Sequence, residues 1–258
     1  MSADTYWTIV AGVFGAVVGS FLNVVIYRLP LGRSVAAGRS QCPSCAAQIA
    51  WFDNVPLLSW VFLGGKCRRC RWRIPARYPL VEALSFAAAA LIVHAKGLTL
   101  EAAWLYAFVA IMIAITFIDW EHQIIPDTLS LGGVALGWIG AVVCLDVSLV
   151  GSLVGSIAGA ALVLAIAALY KALRRVDGMG GGDVKLMAMI GAFLGWKMIF
   201  PVLFVAALFG SLYGIFLMRA RAGTGKTAVA FGSFLAPAAC LMLFAGDRLI
   251  ALYLGVAR

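Results

Sequence analysis

The chain has 258 residues, 64% of them hydrophobic and only 12% charged. A soluble fold of this length has too little interior for that much apolar side chain, so the soluble globular classes are excluded and an all-α polytopic membrane protein is expected. The net charge of +9 invites a nucleic-acid reading, but where the cations fall along the chain matters more than their sum.

Apolar runs predict helices near residues 6–27, 79–95, 100–118, 128–146, 149–170, 184–197, 199–218 and 229–252. Several approach the ~20 residues that a helical span needs, giving about eight transmembrane helices. The first, Tyr6 to Tyr27, has only Asp4 as a charge ahead of it and an apolar part too long for a signal peptide, so it is expected to be retained. With the N-terminus outside, nine Lys/Arg from Arg28 to Arg77 fall in the first cytoplasmic loop. Lys171, Arg174 and Arg175 fall in a second, and Arg219, Arg221 and Lys226 in a third, leaving Lys96, Lys197, Arg248 and Arg258 outside. This asymmetry follows the positive-inside rule. The basic balance therefore orients the chain and implies no nucleic-acid partner.

Three parts follow: a first transmembrane helix (1–27), a cytoplasmic four-cysteine domain (28–78) and a transmembrane core (79–258). No internal repeat is visible. Gly15 and Gly19 in the first helix, and Gly151, Gly155 and Gly159 in the fifth, stand at four-residue spacing, which lets helix backbones approach closely.

Within residues 28–78, CPSC (Cys42, Cys45) is followed after 21 residues by CRRC (Cys67, Cys70). Two C-x-x-C pairs at this separation supply four thiolates for one tetrahedral zinc. The predicted topology puts them on the reducing side, where structural disulfides are disfavoured. A segment this small also gains from a metal staple, and Lys66, Arg68 and Arg69 favour ionised thiols. The alternatives are a redox pair or unligated thiols. Cys144 and Cys240 lie in apolar helices and read as packing residues.

Only eleven carboxylates exist. Asp4, Asp146, Asp177 and Asp247 fall near helix ends or in loops, and Asp53 lies in the cysteine segment. Glu82 and Glu101 open membrane helices, where a negative charge suits the dipole. Apart from Glu121, which stands two residues after Asp119, there remain Asp119, Asp127 and Asp183. Asp183 closes the stretch VDGMGGGDVKL (176–186), whose glycines imply unusual backbone angles or close approach. Asp119 follows the apolar run Leu100 to Ile118 and begins DWEHQIIPD, which ends at Asp127. Asp127 and Asp183 each precede a predicted helix and could be N-caps. That account leaves the glycines unexplained, and Asp119 too, since the dipole opposes a carboxylate at a helix C-terminus. Asp119 and Asp183 share a cytoplasmic depth and could meet across the bundle. Like charges brought together cannot both ionise. Two carboxylates sharing a proton can activate water while protonating a carbonyl, which is aspartic-protease chemistry. The glycines would let an extended substrate backbone pass near that water. His122 completes no triad and reads as a loop histidine. AGTGKT near Gly225 and GMGGGD fail as nucleotide motifs, because Ala220 and Asp183 stand where glycines are required.

These segments carry a resemblance. GSFLNVVIYRLP (19–30), CPSC, IAWFDNVPLLSW, CRRC, IPARYPLVE, FIDWEHQIIPD and GMGGGDVKL follow in an order that resembles the type IV prepilin peptidases, bifunctional leader peptidase/N-methyltransferases with a G-x-G-D signature. The resemblance implies Asp119 and Asp183 as the catalytic pair, with Asp127, Gly180, Gly182 and Lys185 supporting the site, and Cys42, Cys45, Cys67 and Cys70 as the metal-binding motif. It also implies prepilin or pseudopilin substrates with a basic leader and a hydrophobic N-terminal helix held in membrane lipid. Cleavage would follow glycine at the cytoplasmic face of a bacterial inner membrane, and S-adenosylmethionine would be the methyl donor. No adenosylmethionine fingerprint appears in the sequence. VAFGSFLAP departs from the family in having Ala230 and Ser233 where proline is common.

Three rivals make different predictions. A proton-coupled transporter predicts acids near mid-bilayer, a zinc-stapled scaffold predicts dispensable aspartates, and a presenilin-like protease would lack the cysteine domain.

Overall fold

The structure, a computed structural model, describes residues 3–175, 180–220 and 230–253. Asp177 and Gly178 of the glycine stretch, Arg221 and Lys226 of the third basic loop, the sequence around Gly225 and Arg258 lie outside the described residues.

Among the described residues the architecture is helical: α1 (Ala3–Arg28), α2 (Leu58–Phe62), α3 (Arg77–Lys96), α4 (Leu100–His122), α5 (Asp127–Val143), α6 (Leu149–Arg174), α7 (Gly181–Leu194), α8 (Ile199–Ala220) and α9 (Gly232–Tyr253). All eight predicted helices are present, with α2 as a short addition in the cysteine segment. Among the described residues five stretches are long and apolar enough to cross a membrane: Asp4–Leu31, Arg77–Lys96, Leu100–His122, Leu149–Arg174 and Trp196–Arg219. Asp127–Val143 and Gly232–Gly246 are apolar but shorter. The fourteen residues of α7 rise only about 21 Å at 1.5 Å per residue, against a hydrocarbon core of ~30 Å. The eight expected helices are therefore present as helices, while five stretches among the described residues meet the length of a span.

The chain divides into two compact units, 1–114 and 115–258, with α4 running through the boundary. In the first unit, α1 and α3 pack antiparallel at a distance set by small residues. A Cβ on Gly15 would fall 2.5 Å from the Ser85 carbonyl oxygen, and one on Gly19 2.7 Å from the Glu82 Cα. Backbones this close let polar groups bridge the helices: Ser85 donates to the Gly15 carbonyl at 2.7 Å and Asn23 to that of Tyr78 at 3.1 Å. Tyr106 of α4 joins them, its hydroxyl 2.8 Å from that of Ser85.

The cysteine segment contains a repeat of backbone geometry that its sequence does not display. Gln41 pairs with Gln48 and Lys66 with Arg73 in two isolated antiparallel bridges. Inside each, the first cysteine donates its N–H to a carbonyl five residues on (Cys42 to Ala47, 2.9 Å; Cys67 to Trp72, 2.8 Å) and accepts from the residue after its partner cysteine (Ala46 and Arg71). Ala46 and Arg71 adopt positive φ, 56° and 60°. Each position maps onto the other loop at an offset of 25, Cys42 onto Cys67 and Cys45 onto Cys70. The shared letters are only the cysteines and Ile49/Ile74, which is why composition hides the repeat.

In the second unit α7 is clasped by α5 and α6. A Cβ on Gly155 would collide with the Gly191 carbonyl, and one on Gly133 with the Met189 sulfur. One on Gly159 would lie 2.7 Å from the Met187 carbonyl oxygen. Ser152 seals the α6–α7 contact by donating to the Ala192 carbonyl at 2.6 Å. The packing expected of Gly155 and Gly159 is present, whereas Gly151 meets only Ser148 and Val147 of its own helix start. Lining one side of α7 with glycine and serine brings its N-terminus, and Asp183, to a fixed place.

Candidate active site and metal centre

Asp119 lies in the last turn of α4, which continues to His122, so that histidine ends a helix and is not a loop residue. Asp183 is the third residue of α7, not a cap preceding it. Its Oδ2 accepts the N–H of Gly180 at 3.3 Å, so Gly180 is the N-cap and the carboxylate reaches back to satisfy one of the orphan donors of a helix start. Asp127 likewise is the first residue of α5, with Pro126 as N-cap. The N-cap reading of both aspartates is thus corrected by one to three residues.

Both Asp119 (5% exposed) and Asp183 (7%) are buried. Asp119 Oδ2 accepts the backbone N–H of Ser233 at 2.7 Å, and the Asp119 charge acts on Asp183. Two carboxylates separated by 64 residues of sequence are therefore brought into one buried electrostatic site. Ile125, in the segment joining α4 to α5, sits between glycines from two other helices. A Cβ on Gly182 would come 3.0 Å from its Cβ, and one on Gly232 2.7 Å from its Cδ1 and 2.9 Å from Asp119 Oδ2. No glycine from 180 to 182 has a positive φ. Close approach, not backbone freedom, is what Gly182 supplies, while Gly181 faces open space. Beside Asp119, Trp120, Tyr213 and Phe234 form an aromatic cluster with ring centroids 5.4–6.5 Å apart. Lys185 pairs with Asp127 at 2.6 Å at a half-exposed position, which ties the start of α7 to that of α5.

Gly232 and Ser233 went unmarked as site residues in the sequence. The signal was present, an FGSF stretch opening an apolar helix, but nothing in it pointed at Asp119. Glu82 is not the dipole partner that its place near a helix start predicts. It is the sixth residue of α3, beyond the first turn where that effect acts, and it is buried (8% exposed) with its Oε2 accepting the Leu57 N–H at 2.7 Å. Glu101 does lie in the first turn of α4, paired with Lys96 at 2.6 Å.

The four cysteines of the two loops bring their sulfurs within 4.8 Å of one another, and Cys42 and Cys70 are 3.7 Å apart. A tetrahedron with metal–sulfur bonds of ~2.3 Å has edges of about 3.8 Å, so the donor set fits one tetrahedral ion. The N–H groups of Cys70 and Arg69 pull the Cys67 thiol down to about 7. Cys45 accepts the Ala47 N–H, yet desolvation and the neighbouring Cys70 and Cys42 sulfurs push it up to about 11. Four sulfurs this close ionise together only around a cation. Arg68, between Cys67 and Arg69, is held by Asp53 through a bidentate pair (2.6 and 2.8 Å), which keeps the Asp53 carboxyl below the usual range.

Residues 13–96 match the bacterial peptidase A24 N-terminal domain, and residues 106–215 match the type IV leader peptidase family. The chain belongs to the type IV leader peptidase family. It is 35% identical to the prepilin leader peptidase/N-methyltransferase of Aeromonas hydrophila, covering 93% of this chain and 91% of that one. The proteins of the same name from Pseudomonas putida (34%, covering 95% and 93%) and Legionella pneumophila (33%, covering 96% and 94%) are similar over the same extent. No solved structure matches. The chain is thus an enzyme, a membrane peptidase of the two-activity kind for which its relatives are named. The first match spans the cysteine loops and the second spans Asp119 and Asp183.

Proposed function

We propose that the protein removes the basic leader of type IV prepilins or type II secretion pseudopilins by aspartic-protease chemistry and then methylates the new N-terminus. The observation that carries this reading is the pair Asp119 and Asp183: both are buried, each accepts a backbone N–H, and the charge of Asp119 acts on Asp183. At such a site one proton serves two carboxyls. The ionised carboxylate takes a proton from water as its oxygen bonds to the scissile carbonyl carbon, while the protonated carboxyl gives its proton to the carbonyl oxygen. Collapse of the tetrahedral diol breaks the C–N bond, and the leaving nitrogen takes up a proton from the dyad. The open face at Gly181 and the absence of a side chain at Gly180 leave room for a substrate backbone, consistent with glycine before the cleaved bond.

Residues 28–78 act as a cytoplasmic domain stapled by zinc on Cys42, Cys45, Cys67 and Cys70. The basic loops set the N-terminus outside the bacterial inner membrane, with the site at its cytoplasmic face. S-adenosylmethionine supplies an electrophilic methyl: the unprotonated amine forms the N–C bond as the C–S bond breaks, the electron pair returns to sulfur, and the extra proton on nitrogen goes to solvent.

The test is a peptide with a basic leader, the glycine and the first mature apolar residues, followed by mass spectrometry with and without S-adenosylmethionine. Leader loss that disappears in both Asp119→Asn and Asp183→Asn supports the dyad, and an added methyl supports the second activity. Cleavage surviving in either variant, or no cleavage by folded, metal-loaded wild type, refutes the peptidase mechanism.

A further inference from the structure

Glu82 and Asn23 are not used by the peptidase chemistry, and both line one cavity of about 560 Å³ in the first unit. That volume lies within the ~300–1,000 Å³ of small-molecule sites. We infer that this cavity, between the cysteine loops and the α1–α3 pair, binds the methyl donor S-adenosylmethionine, with Glu82 facing its sulfonium. The inference rests on the methyl-donor reading above.

Glu82 carries the argument. Its carboxylate is buried, and its partners are the Leu57 N–H and the Ser20 hydroxyl. Among the described residues no cation is recorded in an ion pair with it. A buried charge left without a counter-charge is costly. A ligand that brings a fixed positive charge relieves that cost, and a sulfonium is one.

Asn23 gives an independent indication. It is 3% exposed, and its amide nitrogen is committed to the Gly19 and Tyr78 carbonyls at 3.3 and 3.1 Å. Those two acceptors fix the amide orientation, so the remaining oxygen is the one that is buried with no partner. Buried polar atoms without a partner are rare and call for an explanation. A donor on the ligand, the adenine amine or the amino-acid ammonium, supplies it.

Of the other residues that line the cavity, Arg28 and Arg68 are turned to the Ala37 carbonyl and to Asp53, and a few suit the same ligand. Trp60 and Tyr78 present aromatic surface for a flat base. Arg33 and Arg39 are exposed and add guanidinium groups suited to a ligand carboxylate. A cation, a hydrogen-bond donor, a planar base and a carboxylate all occur together in S-adenosylmethionine. Leu57 shows that the wall is held under strain. It has φ 62° and ψ −52°, with a 2.6 Å bond from Leu58 N–H to the Pro56 carbonyl across it, a γ-turn geometry that is rare and strained. Glu82 pins this turn over the cavity, so a purely structural role for the carboxylate must be separated by experiment.

Charge separates the two. The full-length protein in nanodiscs is titrated with S-adenosylmethionine and with S-adenosylhomocysteine, the neutral thioether of nearly the same shape. Wild type is expected to bind both. Glu82→Gln is expected to weaken the sulfonium about 30-fold or more and the thioether by less than about 3-fold, and retained thioether binding shows that the variant is folded. As a second measurement needing no variant, methyl-labelled S-adenosylmethionine is crosslinked to wild type by ultraviolet light. The label is expected in peptides from within residues 20–82. Equal loss of both ligands, unchanged sulfonium binding, or a label outside those peptides overturns the site while leaving the methyl donor in place. Wild type that neither binds S-adenosylmethionine nor methylates a cleaved peptide overturns the donor reading itself, and the site with it.

Discussion

Replacing Gly232 by alanine tests how Asp119 is held. The added Cβ would stand 2.9 Å from Asp119 Oδ2 and 2.7 Å from Ile125 Cδ1, and both contacts are shorter than real Cβ atoms accept. Ordinary carbon contacts begin near 3.5 Å, so the carboxylate or the start of α9 must shift by about 0.5 Å. The same oxygen takes the Ser233 N–H one residue on, at 2.7 Å, and the shift therefore stretches the one hydrogen bond recorded for that oxygen. A misplacement of 1 Å at a reacting group costs about 100-fold, so half of that should lower kcat about tenfold, while KM, set mainly by the leader and apolar helix of the substrate, changes little. Overpacking should also cost about 1–3 kcal/mol of stability. Gly132→Ala is the control, since nothing lies within 4 Å of its added Cβ and alanine improves a helix interior by ~0.5–1 kcal/mol. Initial-rate kinetics on the leader peptide, with thermal unfolding in the same detergent, decide it. Wild-type kcat in Gly232→Ala would refute the claim that α9 positions Asp119.

Three further outcomes are expected. Removing metal with a chelator, or replacing Cys67 by serine, should release one zinc per chain, measured by elemental analysis, and make residues 28–78 sensitive to protease. Structural zinc is worth on the order of 10 kcal/mol in small domains, so protection that survives metal loss would show that the segment folds on its own core. Gly191→Ala drives a Cβ into the Gly155 carbonyl and should lower stability by at least about 2 kcal/mol, whereas Gly151→Ala, which meets only its own helix start, should be close to neutral; equal thermal shifts would contradict the packing assigned to α6 and α7. Lys185→Gln and Asp127→Asn should each lower kcat/KM less than tenfold, because the pair is half-exposed and such pairs contribute at most about 1 kcal/mol. A double variant much worse than either single would show that they act separately.

How much of this was legible in the sequence depends on the range of the interaction that fixes each feature. Helix positions came from apolar runs and were right to within a few residues, because burial in lipid acts along contiguous sequence. The C-x-x-C pairs were legible for the same local reason, and the aspartates because a carboxylate beside four glycines in so apolar a chain is costly. The ends of α4 and α7 were misjudged. Asp119 and Asp183 each lie inside a helix because a distant backbone donor, Ser233, and a local one, Gly180, stabilise them there. Glu82 departs furthest from what its sequence position predicts. At six residues into α3 its surroundings depend on Leu57 and Ser20, brought from two other segments, and no helix-end rule contains them.

The glycines show why such errors are hard to avoid from sequence. Gly155, Gly182, Gly195 and Gly232 are the same letter, each near an apolar helix, yet they do different work. Gly155 lets two backbones touch, Gly182 and Gly232 close around Ile125, and Gly195 turns the chain after α7 with φ at 74°. Only the atom that a Cβ would strike distinguishes them: a carbonyl, a branched side chain, a carboxylate oxygen, or little at all. Where that atom belongs to the same helix, spacing reveals it. Where it comes from across the bundle, as Asp119 does for Gly232, the sequence holds both partners without marking them as a pair. The residues most worth mutating in this protein are therefore the ones whose neighbours are farthest away along the chain.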